Sequence, residues 1–258
     1  MDFHLSQVAV PFRMQPGLRR VDSHALRLTP LDPASILFAD KHAVVVAGQS
    51  RLAMPGFDAA PALAAIAARG TGAAVHELAY EEDFAVLDGR DGTLPWLSVC
   101  VPSHWAPEDK LGLAFAEVHR PVADSATLVA AAAHLVAVAT GGDCWERFVW
   151  TISPSARYDQ HPRRHVREPW PEGLDDDAFA ARCWLRAERQ CFFPVGQGTQ
   201  QAVFTIRVML QPLLQAVASA DDARRLHDSL ESMTPQVLDY KGIARAREPL
   251  LRWLGQRS

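Results

Sequence analysis

The strand-forming stretches of this 258-residue chain come in neighbouring pairs with only a turn between them, which narrows the folds open to it. Phe84-Ala85-Val86-Leu87 runs into Asp88-Gly89-Arg90-Asp91-Gly92, a strong turn signal, and a second apolar run follows from Leu94 to Val101. Arg182 to Phe193 and Gln201 to Leu210 are joined in the same way by Pro194-Val195-Gly196-Gln197-Gly198. Strands this close in sequence pair as antiparallel hairpins, because a parallel pair needs a long crossover. Trp145 to Ile152, aromatic and β-branched, supplies another strand. There is no regular β-α-β alternation and no glycine-rich phosphate loop, which argues against a Rossmann or P-loop site. The expected class is α+β: a largely antiparallel sheet with helices segregated to one side and a C-terminal helical segment.

Around those strands, residues 1–35 carry Pro11, Pro16, Gly17, Pro30 and Pro33 without sustained periodicity and read as an irregular arm. Phe38-Ala39-Asp40 and Val44-Val45-Val46-Ala47 read as strand material about a turn. Asp58 to Arg69, alanine-rich and followed by Gly70, reads as a helix with a glycine stop. Pro107 opens a helix with Glu108 and Asp109 in its first turn, and Leu111, Phe115 and Val118 form one apolar stripe ending at His119. Asp124 or Ser125 can cap a further helix through Ala139, stopped by Gly141-Gly142. Residues 153–177 form a long polar connection, of the kind that is usually functional or mobile. From about Pro212 to Leu254 the chain reads as two or three amphipathic helices broken near Pro235 and Pro249. One domain over 1–258 is expected, with the arm at 1–35, a core at 36–211 and helices at 212–254.

Composition removes several function classes. A net charge of -4 argues against a general nucleic-acid or anionic-membrane binder. No apolar run reaches transmembrane length, and Met1-Asp2-Phe3-His4 lacks a basic secretory start, so a cytoplasmic protein is the default expectation. Cys100, Cys144, Cys183 and Cys191 contain no C-x-x-C pair, which reads as isolated reduced thiols.

Among ten histidines, His119 is the sharpest candidate for chemistry, placed at a helix end beside an apolar stripe and before Arg120-Pro121. It either interacts with the helix C-terminus or serves as a metal ligand. No second ligand stands three or four residues away, as a zinc helix would need, whereas a haem needs one axial histidine because the porphyrin supplies four ligands. His104 beside Trp105 is a weaker axial or distal candidate; His161 and His165 would pair on a metal only in a helix, which Pro162 disfavours; His134 reads as a packing residue. Arg147, Arg186, Arg189 and Arg207 interrupt strand-like runs. If they converge on one face they make a carboxylate or propionate clamp, or a network with Glu188; otherwise they point to water. Glu82 and Asp83 either supply a proton-transfer group or solubilise a turn.

Several stretches, in this order, carry a resemblance. Pro11-Phe12-Arg13-Met14, Glu82-Asp83, His104-Trp105-Ala106-Pro107 through Lys110-Leu111-Gly112, Val118-His119-Arg120-Pro121-Val122, Arg186-Ala187-Glu188-Arg189-Gln190 and Phe204-Thr205-Ile206-Arg207 together resemble the motifs of the haem-dependent oxidative N-demethylase family. The resemblance implies a PAS-like haem-binding fold and oxygen-dependent demethylation of a small secondary amine such as dimethylamine. It also implies separate subunits carrying flavin and an iron–sulfur cluster that deliver electrons from NADPH. On this chain it implies haem b with His119 as the axial iron ligand and Trp105 and Lys110 at the pocket wall. Arg189 and Arg207 would be propionate or substrate anchors, and Glu188, Glu82 and Asp83 would bind the amine or deliver protons. Two positions depart from the family pattern: Arg147-Phe148-Val149-Trp150 lacks the family's asparagine, and Glu188-Arg189-Gln190-Cys191-Phe192-Phe193-Pro194 lacks an arginine. The departures leave open a non-catalytic PAS-like haem-binding or sensor module.

Overall fold

The strand Glu82–Asp88 is buried at every position, so apolar cover is needed on both of its sides. The computed structural model describes residues 2–14, 17–24, 26–70, 75–121, 123 and 125–258, with Ser125 and Thr127 as backbone only. Pro16, Val122 and the candidate cap Asp124 lie outside the described residues. One antiparallel seven-stranded sheet runs through the chain. Its strands are β1 (Arg19–Val21), β2 (Arg51–Ala53), β3 (Glu82–Asp88), β4 (Trp96–Ser98), β5 (Cys144–Ser153), β6 (Trp184–Pro194) and β7 (Gln201–Pro212), in spatial order β1-β5-β6-β7-β3-β4-β2. The expected hairpins β3–β4 and β6–β7 are present, and β5 pairs with β6 along nine residues of each.

Helices cover both faces, where segregation to one side was expected. The described helices are α1 (Ile36–Val46), α2 (Ala60–Ala67), α3 (His76–Ala79), α4 (Phe115–His119), α5 (Ser125–Ala130), α6 (Ala132–Thr140), α7 (Asp176–Ala181), α8 (Leu213–Ala216), α9 (Ala220–Glu231), α10 (Pro235–Lys241) and α11 (Arg247–Gly255). Side chains alternate along each strand, so odd and even positions meet different layers. On one face Leu87 and Phe192 pack with Val136, Ala139 and Phe115, while Ile206 and Val208 pack with Leu37 and Val44 of α1. On the other, Phe84, Val86, Phe193 and Val203 meet Ala62 and Ile66 of α2 with Leu26 and Leu28 of the arm. Trp150, Ile152, Leu185 and Met209 there meet Phe3, Leu5 and the C-terminal helices. We call these the His119 face and the arm face.

Three local expectations are corrected. Residues 36–46 are one helix, not two strands: Ser35 caps it by accepting from the Phe38 amide at 3.0 Å, and Leu37, Lys41 and Val44 share its buried side at i, i+4 and i+7. The valine run masked that period. The helix expected from Pro107 to His119 is broken into a 3-10 turn at Pro107–Asp109 and α4. Between them Gly112 adopts φ of 75° and donates to the Leu94 carbonyl at 2.8 Å, so the chain pairs with the β3–β4 turn region instead of coiling on. The helix expected through Ala139 is two, α5 and α6, and Ser125 lies inside α5 instead of capping it. The C-terminal helices are interrupted near Pro235 and Pro249 as expected: Pro235 opens α10 under a Thr234 cap, and Pro249 sits in the first turn of α11, where proline is tolerated, just after the break at 242–246.

Residues 153–177 are fastened, not loose. Arg164 bonds both Asp159 oxygens, at 2.7 and 2.9 Å, and the Cys100 carbonyl at 2.8 Å. Asp175 caps α7 through the Ala178 amide at 2.8 Å. Trp170 Nε1 donates to the Gly242 carbonyl at 2.9 Å, binding the segment to α10.

Candidate active site

The period of two along β6 sends Glu188, Gln190 and Phe192 to the His119 face and Arg189 to the arm face. In register beside them, Arg147 stands opposite Gln190 and Val149 opposite Glu188 on β5. These side chains form one chain of hydrogen bonds. Arg147 Nε donates to Gln190 Oε1 at 2.7 Å, Gln190 Nε2 to Glu188 Oε2 at 2.6 Å, and Ser103 Oγ to Glu188 Oε1. Arg186 Nε then donates to Ser103 Oγ at 2.8 Å. Arg186 is 2% exposed, and its remaining donors go to the carbonyls of Arg157, Val101 and Tyr158 at 3.0–3.4 Å. Burial lowers its pKa to about 10. It pins the loop before Trp105 to the loop after β5.

The stretch from Val99 to His119 is steered onto this face by the 153–177 segment. Gln160 donates its amide to the Pro102 carbonyl at 3.1 Å, His161 Nε2 pairs with Glu108 at 3.1 Å, and Arg163 pairs with Glu108 and Asp109. His161 and His165 thus serve carboxylates of the protein; His165 meets Asp159 at 3.0 Å. His104 turns the chain with φ of 59°, a region uncommon for side chains with a Cβ. Trp105 packs against the clusters of the same layer that hold Val101 and Val99.

His119 ends α4, half-buried, with its ring 4.0 Å from that of Phe115. Its Nδ1 lies 2.8 Å from the Phe115 carbonyl, which assigns the proton to Nδ1 and the lone pair to Nε2. Burial brings its pKa down to about 4; the charges of Arg147 and Lys110 push the same way, and the Phe115 bond opposes them. Among the described residues Nε2 has no hydrogen-bond partner, and the one triad of ligand-type side chains, His227, Asp228 and Glu231, lies elsewhere on α9. A neutral imidazole with its donor nitrogen already used is a donor set that fits a haem iron, which needs one protein nitrogen.

The other expected site residues separate from it. Asp83 shares the His119 face, but Val101 donates its amide to it at 2.8 Å and Lys41 Nζ lies at 3.2 Å, both side chains being essentially unexposed. Lys41 also donates to the carbonyls of Tyr80, Glu81 and Glu82, so this pair latches α1 to β3. Glu82 faces the arm and accepts from the Thr29 amide and hydroxyl at 2.9–3.1 Å; burial pushes its carboxyl pKa up. Arg189 bonds Glu146 at 2.5 Å, and Arg207 bonds Glu81 at 2.6 Å and pairs with Asp2. Thus the four strand arginines do not converge: Arg147 and Arg186 lie on the His119 face, Arg189 and Arg207 on the arm face.

Some polar groups had no forecast. Lys241, at the end of α10, donates to the Trp150 carbonyl at 2.5 Å, with the rings of Phe12 and Trp150 at 5.0 and 5.3 Å; burial lowers its pKa to about 8. It caps the length of β5 that β1 leaves uncovered. On the arm face, Ser98 Oγ lies 2.9 Å from His76 Nε2, beside Glu77 and Arg51, where a cavity of about 300 Å³ opens. Ser98 is fully buried, so this chain of groups ties α3 to β4.

No helix among the described residues is long and apolar enough to cross a membrane. The model of the haem-dependent oxidative N-demethylase, alpha subunit-like family matches residues 73–251, a stretch that holds His119, the Arg147–Gln190–Glu188 chain and Lys241. That match covers more than half of the sequence: this chain belongs to the haem-dependent oxidative N-demethylase alpha subunit-like family.

Proposed function

We propose that this chain is the haem-binding, oxygen-using subunit of an oxidative N-demethylase acting on a small secondary amine such as dimethylamine. His119 would hold the iron of haem b through Nε2. The observation that carries the reading is the His119 Nδ1 bond to the Phe115 carbonyl, which presents Nε2 as a neutral donor on the face that carries Glu188. When bound, haem iron supplies oxygen activation. Glu188, its two oxygens accepting from Ser103 and Gln190, is an acceptor for an ammonium N–H and a station for a proton. Trp105 and Lys110 wall the same side. Glu82, Asp83, Arg189 and Arg207 would act at one remove, holding the arm, α1 and the sheet in place. The reading takes residues 1–258 as one domain with a PAS-like core, cytoplasmic, and dependent on a separate NADPH-linked flavin and iron–sulfur reductase.

A pyridine-haemochrome spectrum of the protein as isolated, followed by haem reconstitution, tests it. A Soret band that is lost or displaced in His119→Ala is expected; no band after reconstitution overturns the reading. One observation favours a second reading, a haem-binding sensor: Val149, where the family has an amide, stands directly across from Glu188. NADPH consumption and formaldehyde release from dimethylamine with a reductase present separate the two, since a sensor gives neither.

A further inference from the structure

Ser103 stands between Arg186 and Glu188, and counting donors fixes the direction of its proton. Arg186 Nε lies 2.8 Å from Ser103 Oγ, and a guanidinium can only donate. The single hydroxyl proton of Ser103 is therefore left for an acceptor, and the acceptor it meets is Glu188 Oε1. Arg186 is a fixed post for this bond: it is buried, and its other donors are spent on the carbonyls of Arg157, Val101 and Tyr158. The second oxygen of Glu188 obeys the same logic. Arg147 Nε donates to Gln190 Oε1 at 2.7 Å, which turns the Gln190 amide nitrogen toward Glu188 Oε2 at 2.6 Å. Each oxygen of Glu188 thus accepts from a neutral group whose direction an arginine has set. A carboxylate offers about four acceptor positions, so Glu188, only half-buried, keeps others for a ligand.

We propose that Ser103 is a positioning residue: locked by Arg186, it aims the Glu188 carboxylate at a ligand bearing a cationic N–H. This rests on the amine reading above. The aim then comes from the 99–105 loop as well as from β6. Were Ser103 only an acceptor for Arg186, its loss would affect stability, and any effect on amine affinity would be independent of Glu188.

The experiment titrates full-length protein, after haem addition, with dimethylammonium chloride by calorimetry. It compares wild type, Ser103→Ala, Ser103→Thr, Glu188→Gln and the Ser103→Ala/Glu188→Gln double variant. Ser103→Ala should weaken binding roughly three- to tenfold, the worth of one hydrogen bond, and Ser103→Thr should restore it to within about twofold of wild type. In the Glu188→Gln background, Ser103→Ala should cost less than about twofold, because a residue acting through Glu188 has nothing left to act on. If Ser103→Ala fails to fold by circular dichroism, Ser103→Cys, a weaker donor of similar shape, carries the comparison in both backgrounds. Equal losses in the two backgrounds, or an affinity unchanged by removing the hydroxyl, overturn the inference alone. A wild type that binds no dimethylammonium overturns the amine reading, and the inference with it.

Discussion

Glu188 and Arg189 are neighbours on one strand and do opposite work. On the arm face, Glu146 takes Arg19 and Arg189, Arg207 takes Glu81 and Asp2, and Glu82 accepts from Thr29. Those bonds sew Asp2, Arg19 and Thr29 to the sheet. On the His119 face, among the described residues, Glu188 meets hydrogen-bond donors but no cation within ion-pair distance, and Lys110 meets no carboxylate. Arginine–carboxylate pairs fasten the arm to its face of the sheet, whereas Glu188 sits in a chain of hydrogen-bond donors on the other. The difference lies in one residue of strand register, since the side-chain period is two.

That contrast can be broken most forcefully through the buried latch. Lys41→Met removes three carbonyl bonds and leaves Asp83 unpaired in the interior, which should cost about 3–5 kcal/mol in denaturant unfolding. A loss below about 1 kcal/mol would show that Asp83 is not held as an ion, freeing it for a role in chemistry.

Next in size is an acid effect from the arm face. His76 is buried and its pKa falls from 6.5 to about 4, chiefly through burial. The unfolded chain therefore binds the proton more readily, so stability is full above pH 6.5 and declines as pH falls toward 4, by up to about 3 kcal/mol. Unfolding curves between pH 7 and 4 should steepen accordingly, and His76→Gln should flatten them over that window. Equal slopes in both proteins would contradict it.

Glu188→Gln sharpens the comparison from the other side. It should shift stability by about 1 kcal/mol or less, since neighbouring donors can be re-met, while lowering amine turnover by more than about tenfold. Unchanged formaldehyde release would remove Glu188 from the chemistry. The smallest effect is Arg19→Ala. Arg19 is 63% exposed and leaves Glu146 still bonded to Arg189, so thermal unfolding should move by no more than about 0.5 kcal/mol.

The strands and their hairpins were legible because alternation and turn residues are local signals: Asp88 to Gly92 marks its own turn. Helix α1 was not, because a run of valines looks like a strand until Lys41 is recognised as one of the buried positions. The break at Gly112 depends on a contact with Leu94, distant in sequence, which no window near Gly112 contains. His119 stood out by its place before Arg120-Pro121, and Gln190, on the same face, lay within a family-like motif. The face each arginine takes could not be read, because register is set by pairing among three strands. Lys241 and Ser103 join the site's surroundings only through the folding of α10 and the 99–105 loop onto it.

The claim that the His119 face is the working face is tested most directly by the Soret spectrum of reconstituted protein in three forms. Wild type and Arg189→Ala should show the same band, with His119→Ala losing or displacing it. A band untouched in His119→Ala but lost in Arg189→Ala would move the site to the arm face and contradict the account.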